Sequence, residues 1–545
     1  MAGSPDAPRE IELKYRVADA AALHAWLDAW SPEGVSVGPW RTRLDRDAYI
    51  DTADGALAAA GYGARLRRRG SRVTLTLKTA SGSPAPAEGR REVENPALHN
   101  RVELEGDAST ALDPEAWPPS DARDLLLSLA GAGALLVRFV IRQRRSIRML
   151  TADDGWTAEL SLDEADVRQG KRSAGRIQEL EVEATGDPDR LGPIAREIEE
   201  SRLVEPELRS KEQTAAELVE AMTSAQAGRR AFAALPKNPG VLADDTLGAA
   251  GRKVLWLHLS RMLALEAGTR SGDNPEDLHK MRVATRRMRA AWRVFDGAYR
   301  PKVQRRYVAE LRDVAQALGA VRDLDVQLEG LEAHRQGLSG PGAEALAPLA
   351  DEWSGLREHA RVALMQLLDS NAYVRFVTDY RAFVDRPGTG ERTPMPNEPW
   401  LVRETAGSRI WLAYERMRAH DATLAWADAT GLHALRIEAK RLRYALEFFR
   451  EALPRAQVDR LIGAITALQD HLGELNDADV AIRTAREFLV AHGSRLPAES
   501  REAIGHLIDA RAADFARLRR TLPPVWRRLS GPQFRRSMAS AIAAL

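Results

Sequence analysis

The stretch "REIELKYRV", Arg9 to Val17, alternates strictly. Glu10, Glu12, Lys14 and Arg16 fall on one face, and Ile11, Leu13, Tyr15 and Val17 on the other. A period of two predicts a strand with one apolar and one polar face. The same period returns in "SRVTLTLK" (71–78), "TAELSLD" (157–163) and "QELEVEA" (178–184). Residues 9–185 therefore read mostly as strands. Helical breaks are expected at 18–30, 121–132 and 188–200, the last after the turn signal "GDPD".

The polar faces of these strands are unusual. Some carry acids: Glu10 and Glu12, Asp163, then Glu179, Glu181 and Glu183. Others carry bases: Arg65 and Arg67 in "GARLRRRG", and Lys78. A sheet with a wet face and cross-strand ion pairs would explain this. So would a closed barrel with a charged lumen. In the second case the acids suit a hard divalent cation, Mg²⁺ or Mn²⁺. The bases suit phosphate oxygens. Both sets in one cavity point to metal-assisted chemistry on a polyphosphorylated substrate.

From about residue 247 the period becomes helical, and Arg, Ala and Leu dominate. The stretch 224–245, with Pro236, Pro239 and Gly240, reads as the linker. "RPGTGERTPMPNEPW" (386–400) divides the helical part. The expected organisation is a domain over 1–221, a linker over 222–246 and a helical domain over 247–545. The helical halves are expected at about 247–385 and 401–545.

Within the helical part, "LHKMRVATRRMRAAWRVF" (278–295) aligns without gaps on "LHALRIEAKRLRYALEFF" (432–449), with seven of eighteen positions identical. "LGAVRDLDV" (318–326) aligns on "LGELNDADV" (472–480) at the same offset of 154. Two matches at one offset indicate an internal duplication. At 100° per residue, His279, Arg282, Arg286, Arg289 and Arg293 share an arc of about 80°. His433, Arg436, Lys440 and Arg443 share the matching arc. Met281, Met288, Trp292 and Phe295 oppose the first stripe, and Leu435, Leu442, Leu446 and Phe449 the second. A solvated helix face normally mixes in acids at i+4. The first stripe has none and the second only Glu447, so a cationic groove for a polyanion is expected. Aromatic residues lie on the apolar side rather than on the stripe, which favours a backbone-only polyanion over nucleic acid. Asp323, Asp325, Asp477 and Asp479 read as structural, by capping or by pairing with arginines.

The bulk composition sets limits. Charged residues make up 29% of the 545, yet they sum to +1, so any basic site is local. There is no cysteine, which excludes disulfides and thiolate chemistry. The N-terminal "MAGSPDAPRE" lacks a basic segment followed by an apolar one, and no run of about 18 apolar residues occurs. Neither a secretory signal nor a membrane span is expected, which points to the cytoplasm.

The strand region resembles the CYTH proteins, the triphosphate tunnel metalloenzymes. The resemblance rests on E-x-E-x-K in "EIELKYR" and an ordered series behind it. That series is "YIDTADGAL" (49–57), "GARLRRRG" (63–70), "LTLK", "RREVE" (90–94), "VRFVIRQRRSIR" (137–148), "LSLDEADV" (160–167), "QELEVE" (178–183) and "RSK" (209–211). It implies an eight-stranded antiparallel tunnel with flanking helices. It also implies divalent metal, Mg²⁺ or Mn²⁺, and hydrolysis of inorganic triphosphate or a related triphosphate, or else cyclisation of ATP. Carried over by position, Glu10, Glu12 and Lys14 are the candidate catalytic residues. Glu10, Glu12, Asp163, Glu179, Glu181 and Glu183 are the candidate metal ligands, with Glu183 an alternative to Glu179. Lys14, Arg65, Arg67, Lys78, Arg145 and Lys211 are the candidate triphosphate ligands. Among Arg142, Arg144 and Arg145, strand register decides which points inward. The chain has "DEADV" where the family commonly has D-x-G, which predicts a different turn there.

The histidine-led repeat resembles the CHAD domain, a helical domain named for its histidines. This implies polyphosphate binding through His279, Arg282, Arg286, Arg289, Arg293, His433, Arg436, Lys440 and Arg443. The whole chain is then α+β: a β tunnel, then an all-α domain of two duplicated bundle halves. The expected partners are inorganic triphosphate and polyphosphate, without sequence-specific nucleic acid or membrane. Polyphosphate granules are one place of association. The alternatives are a class IV-like adenylate cyclase in the same tunnel, or a non-enzymatic polyphosphate binder.

Overall fold

The computed structural model describes residues 9–79, 97–185, 188–338 and 340–545. These fall into two compact units, which divide after Thr223. The "RREVE" stretch (90–94) lies outside the described residues.

The first unit is built on a strongly alternating antiparallel sheet. Its strands are β1 (Arg9–Val17), β2 (Val35–Val37), β3 (Arg41–Thr52), β4 (Tyr62–Arg69), β5 (Arg72–Thr79), β6 (Leu98–Ala108), β7 (Leu135–Ala152), β8 (Thr157–Gln169), β9 (Arg172–Thr185) and β10 (Val204–Pro206). The hydrogen-bonded circuit runs β1-β6-β5-β4-β3-β7-β8-β9, and β9 pairs back onto β1, so the sheet closes. Among the described residues the expected eight strands are corrected to ten. β2 adds to β7, and β10 adds to β1. Each of these two has three residues, too few to display an alternation in sequence.

Closure inverts the usual polarity of a sheet. The apolar faces point outward and are covered by helices α1 (Ala20–Ala29), α2 (Ala56–Ala59), α3 (Asp121–Ala130) and α4 (Leu191–Glu200). Leu13, Tyr15 and Val17 pack with Leu23 and Leu27 of α1 and with Ile194 and Ile198 of α4. Leu66, Leu75 and Leu77 pack under Leu126 of α3. Each fully buried aliphatic side chain contributes roughly 1.5–3 kcal/mol. That burial holds the wall while the inward face stays polar. Helices α1, α3 and α4 fall where breaks in the strand period place them.

Helix α5 (Lys211–Ala234) begins at one end of the barrel. Its Ala215, Val219 and Met222 pack on Tyr49, Phe139, Ile141, Ala165 and Ile177. These residues share the inward face of their strands with Asp47, Gln143, Asp163 and Glu179. That end of the lumen is therefore apolar and filled by α5. Gly63 on β4 allows the approach, since a Cβ there would stand 1.7 Å from Oε2 of Glu212. The expected linker at 222–246 is helical up to Ala234, because "SAQAGRRAFAA" favours helix until Pro236. "LSLDEADV" contains no turn: β8 runs through it, and the chain reverses at Gly170, with φ +60°.

The second unit is all helical: α6 (Leu247–Ala264), α7 (Glu266–Ser271), α8 (Pro275–Val294), α9 (Pro301–Arg335), α10 (Gly340–Glu344), α11 (Ala347–Asp369), α12 (Asn371–Asp385), α13 (Val402–Arg418), α14 (Ala429–Phe448), α15 (Arg455–His492), α16 (Ala498–Ser530) and α17 (Pro532–Ile542). The bounds of α8 and α14 are offset by the same 154 residues as their sequences. Met281, Met288, Trp292 and Phe295 are buried in the main core, as are Leu435, Leu442, Leu446 and Phe449. The apolar stripes thus orient both helices, leaving the basic stripes on the other side. Among the described residues, no helix is long and apolar enough to cross a membrane.

Candidate functional site

The barrel encloses a cavity of about 540 Å³. Its lining divides by strand. Glu103 and Glu105 of β6, Glu12 of β1, Glu181 and Glu183 of β9, and Glu159 of β8 form a contiguous acidic arc. Lys78 of β5, Arg65, Arg67 and Arg69 of β4, Arg43 of β3 and Arg145 of β7 form the opposite, basic arc. Lys14, on β1, is the exception within the acidic arc. Glu103, Glu105, Arg43 and Arg69 were not singled out from the sequence, although the alternation of their own strands carries them inward, and Glu159 was read only as sharing the polar face of its strand with Asp163.

Register makes the acidic arc sharper. Glu159, Glu183 and Glu12 stand directly opposite one another across β8, β9 and β1. The next inward row is Ser161, Glu181 and Lys14. Like charges directly opposite destabilise a sheet, so a three-carboxylate row favours a cation. The side chain of Glu10 lies outside the described residues.

Deeper in the lumen the charges neutralise one another. Arg145 Nε donates to Asp163 Oδ1 at 2.8 Å, and its Nη2 to Glu181 Oε2 at 2.9 Å. Lys211 Nζ, at the start of α5, lies 2.6 Å from Asp163, 3.2 Å from Glu181 and 3.5 Å from Glu179. Lys14 Nζ lies 3.2 Å from Glu179. Burial lowers the Lys211 ammonium, but Asp163, Glu181 and Glu179 outweigh it and raise it above its usual value. Burial raises Glu181, but Lys211, Arg145 and Lys14 bring it well below the usual carboxylate range. Glu179 is raised, because burial outweighs Lys14 and Lys211. Asp47 accepts two hydrogen bonds from Arg67, at 2.8 and 2.7 Å. Burial raises it, yet Arg67 and Arg65 hold it at about 2. Lys78 and Arg65 lie 3.2 and 3.6 Å from Glu103.

The register also selects among the alternatives. Arg145 faces the lumen, whereas Arg142 and Arg144 are exposed on the outer face. Glu179, Glu181 and Glu183 all face inward, but only Glu181 and Glu183 line the cavity. Glu179 and Asp163 lie beneath it among the buried ion pairs.

Among the described residues, no group of three or more acidic or histidine side chains is drawn close enough together to hold a metal ion as arranged. The donor chemistry nevertheless fits a hard cation. The row Glu159–Glu183–Glu12 supplies like-charged oxygens with no cysteine or histidine among them.

In the helical unit, α8 and α14 present their stripes to two cavities. The larger, about 1160 Å³, is lined by His279, Arg282 and Arg286 from α8 and by His433, Arg436 and Lys440 from α14. The smaller, about 550 Å³, is lined by Arg286, Arg289, Arg293 and Lys440. Arg286 and Lys440 line both. Arg443 lines neither, and lies 3.5 Å from Glu447, which also takes Arg287 at 2.9 Å. It sits at the far edge of the 80° arc, one acid away from the groove.

Arg322 and Asn476 were not foreseen. They occupy equivalent positions of the second repeated motif and line the larger cavity. His433 Nδ1 lies 2.8 Å from Asn476 Oδ1. Asp323 accepts from Arg282 at 2.9 Å, and Asp325 from Arg357 at 2.6 Å. These aspartates lie inside α9, so pairing rather than capping is their role. Among the described residues, buried His279 Nδ1, Arg286 Nε, Arg322 Nε and Arg436 Nε have no hydrogen-bond partner. Burial, then Arg436, Arg286 and Arg282, lowers the Lys440 ammonium to about 7.

The family model of the CHAD domain matches residues 253–486, and that of the CYTH domain residues 8–216. Among solved structures, the chain is similar to the CHAD domain from the plant Ricinus communis. The identity is 27%, over 52% of this chain and 93% of that one, with a TM-score of 0.43. PptA from Streptomyces chartreusis shares 17% identity over 52% of this chain and all of that one (100%), with a TM-score of 0.43. A putative adenylyl cyclase from Hippeastrum, described as having a dominant triphosphatase activity, shares 24% identity. It covers 37% of this chain and 92% of that one, with a TM-score of 0.28. None of the curated proteins matches the chain. The closed strand circuit with its charged lumen and the helices with paired basic stripes are thus a CYTH domain followed by a CHAD domain.

Proposed function

We propose that the tunnel hydrolyses inorganic triphosphate or a related triphosphate with the help of a divalent cation, Mg²⁺ or Mn²⁺, and that the helical domain binds polyphosphate. The observation that carries the tunnel reading is the division of the lumen into an acidic and a basic arc. A triphosphate lying on Arg65, Arg67, Lys78 and Arg145 has its charge matched by guanidinium and ammonium groups. Its other side faces Glu12, Glu181 and Glu183, which repel it unless a cation stands between. Glu12, Glu159, Glu181 and Glu183, together with Glu10, would hold that cation. When bound, it supplies Lewis-acid polarisation and neutralises phosphate charge.

The protein's own part is to orient the substrate. Lys211 and Arg145 tie the deep carboxylates together, which keeps Lys14 and the basic arc in fixed positions. The apolar end filled by α5 keeps bulk water from that side of the lumen.

The test is a panel of triphosphate, ATP, thiamine triphosphate and long-chain polyphosphate, each incubated with Mg²⁺ or Mn²⁺. Phosphate release from triphosphate is expected, and Glu10→Ala plus Glu12→Ala removes it. Formation of 3′,5′-cyclic AMP from ATP in place of phosphate release would make the tunnel a cyclase. No turnover of any triphosphate would leave a binding protein.

For the helical domain, the unpartnered donors of His279, Arg286, Arg322 and Arg436 support anion binding. Lys440 makes that binding pH-dependent. Its free-state value of about 7 lies well below the usual ammonium range, and a bound anion favours the charged form. Binding therefore takes up a proton at neutral pH. Affinity for polyphosphate is expected to fall as pH rises from about 7 to about 9, by at most about tenfold per pH unit. Lys440→Arg keeps its charge throughout and flattens this part of the profile. An identical profile in Lys440→Arg, measured by calorimetry, would exclude Lys440 as the source.

A further inference from the structure

The outer wall of the barrel carries positive charge that the tunnel does not use. Arg68, Arg46 and Arg142 stand directly opposite one another on the outward faces of β4, β3 and β7. The row continues across β8 and β9 to Asp166 and Arg176. All four arginines are exposed. Elsewhere on this barrel the outward positions are largely apolar and lie under helices.

Three like charges in direct register destabilise a sheet, and within the row only Asp166, opposite Arg142 and Arg176, offsets them. Neither Arg46 nor Arg142 has an ion pair or side-chain hydrogen bond among the described residues. Arg68 directs its Nε only to the carbonyl of Gly70, at 3.0 Å. Asp166, the one acid in the row, is already engaged by Ser173 and Arg168. The row borders a cavity of about 690 Å³.

The spacing suits an extended polyanion. Five neighbouring strands at about 4.8 Å span roughly 19 Å. A chain laid across them meets a guanidinium on four of the five. Among the described residues no aromatic side chain lines the cavity, so they offer no platform on which a base could stack. We propose that this row is a binding track for inorganic polyphosphate on the outside of the tunnel domain, additional to the lumen and to the helical groove. The choice of polyphosphate over other polyanions rests on the phosphate-chain reading given above.

The experiment uses the full chain. Because the protein has no cysteine, Leu44→Cys gives a unique thiol. Position 44 is 75% exposed and lines the same cavity. A fluorophore there is expected to respond saturably to long-chain polyphosphate. The response should be lost with Arg46→Glu plus Arg142→Glu, and kept with Arg282→Ala plus Arg436→Ala in the helical groove. Triphosphate turnover by the Arg46/Arg142 variant should stay within about twofold of the parent. No response at position 44 while the protein still retains polyphosphate would overturn the track and leave the helical groove intact. A response at 44 without any loss of affinity in the Arg282/Arg436 variant would support the track and count against the groove. An equal or stronger response to oligothymidylate of matched charge would overturn the assignment to polyphosphate.

Discussion

Glu12→Gln combined with Glu183→Gln is expected to lower kcat/KM for triphosphate by on the order of 10³-fold, without loss of thermal stability. The two effects separate because of where these residues sit. Glu12 and Glu183 belong to the row of three carboxylates in direct register with Glu159. Removing two negative charges there lessens like-charge repulsion across the row, which offsets the loss of the other contacts these carboxylates make. On the proposed reading it also removes two oxygen donors from the acidic arc that would hold a cation beside bound phosphate. Amide replacements keep the shape of the wall. Steady-state kinetics with a thermal melt on the same sample checks both halves. A variant that keeps full turnover would refute the assignment of this row to the metal. A variant that loses turnover only by unfolding would show that the row is structural.

Lys211→Met is expected to cost about 3–5 kcal/mol of stability, the scale for leaving buried charges without their partner. Lys211 Nζ lies within 3.5 Å of Asp163, Glu179 and Glu181, and its own side chain is largely buried. Its folded value is raised, so its contribution is complete below the unfolded value of about 10.4 and is lost only above that. At neutral pH the variant therefore carries the full penalty. The carboxylates supply the contrast. Glu181 is depressed in the folded protein, so it stabilises above its unfolded value of about 4.3 and loses this as pH falls. Without Lys211 that depression shrinks. The difference between parent and variant should accordingly narrow below about pH 4. Denaturant unfolding at several pH values measures it. A penalty that stays constant through acid pH would mean that Lys211 acts by packing and not by charge.

The two units differ in how far their sites could be read in advance. In the helical unit, a 3.6-residue period and a gapless repeat place the basic residues on one face. Eight of the nine expected groove residues line the two cavities. Arg443 departs because Glu447, four residues on, draws it aside. Arg322 and Asn476 stayed hidden because their motif drew attention to its aspartates, and a helix face alone does not say which neighbouring helix completes a groove. In the barrel, alternation revealed which residues share a face but not how that face curves. The ten-strand count, the filling of one end by α5 and the descent of Asp163 and Glu179 into buried ion pairs all depend on strands and helices distant in sequence.

The amino-acid sequence by itself determined the periods: two up to about residue 185 and 3.6 beyond about 247. It thereby determined which side chains face together on each element, from Glu12 and Lys14 on β1 to His279 and Arg282 on α8. Only the tertiary structure decided how those faces meet. Closing β9 onto β1 brings Glu12 level with Glu183 and Glu159 and sets an acidic half of the lumen against a basic half. The physical reason is that periodicity is a local property of the backbone. A charge's neighbours across a closed sheet are set by register, and register is fixed by burying the outer apolar faces under helices far away in the chain.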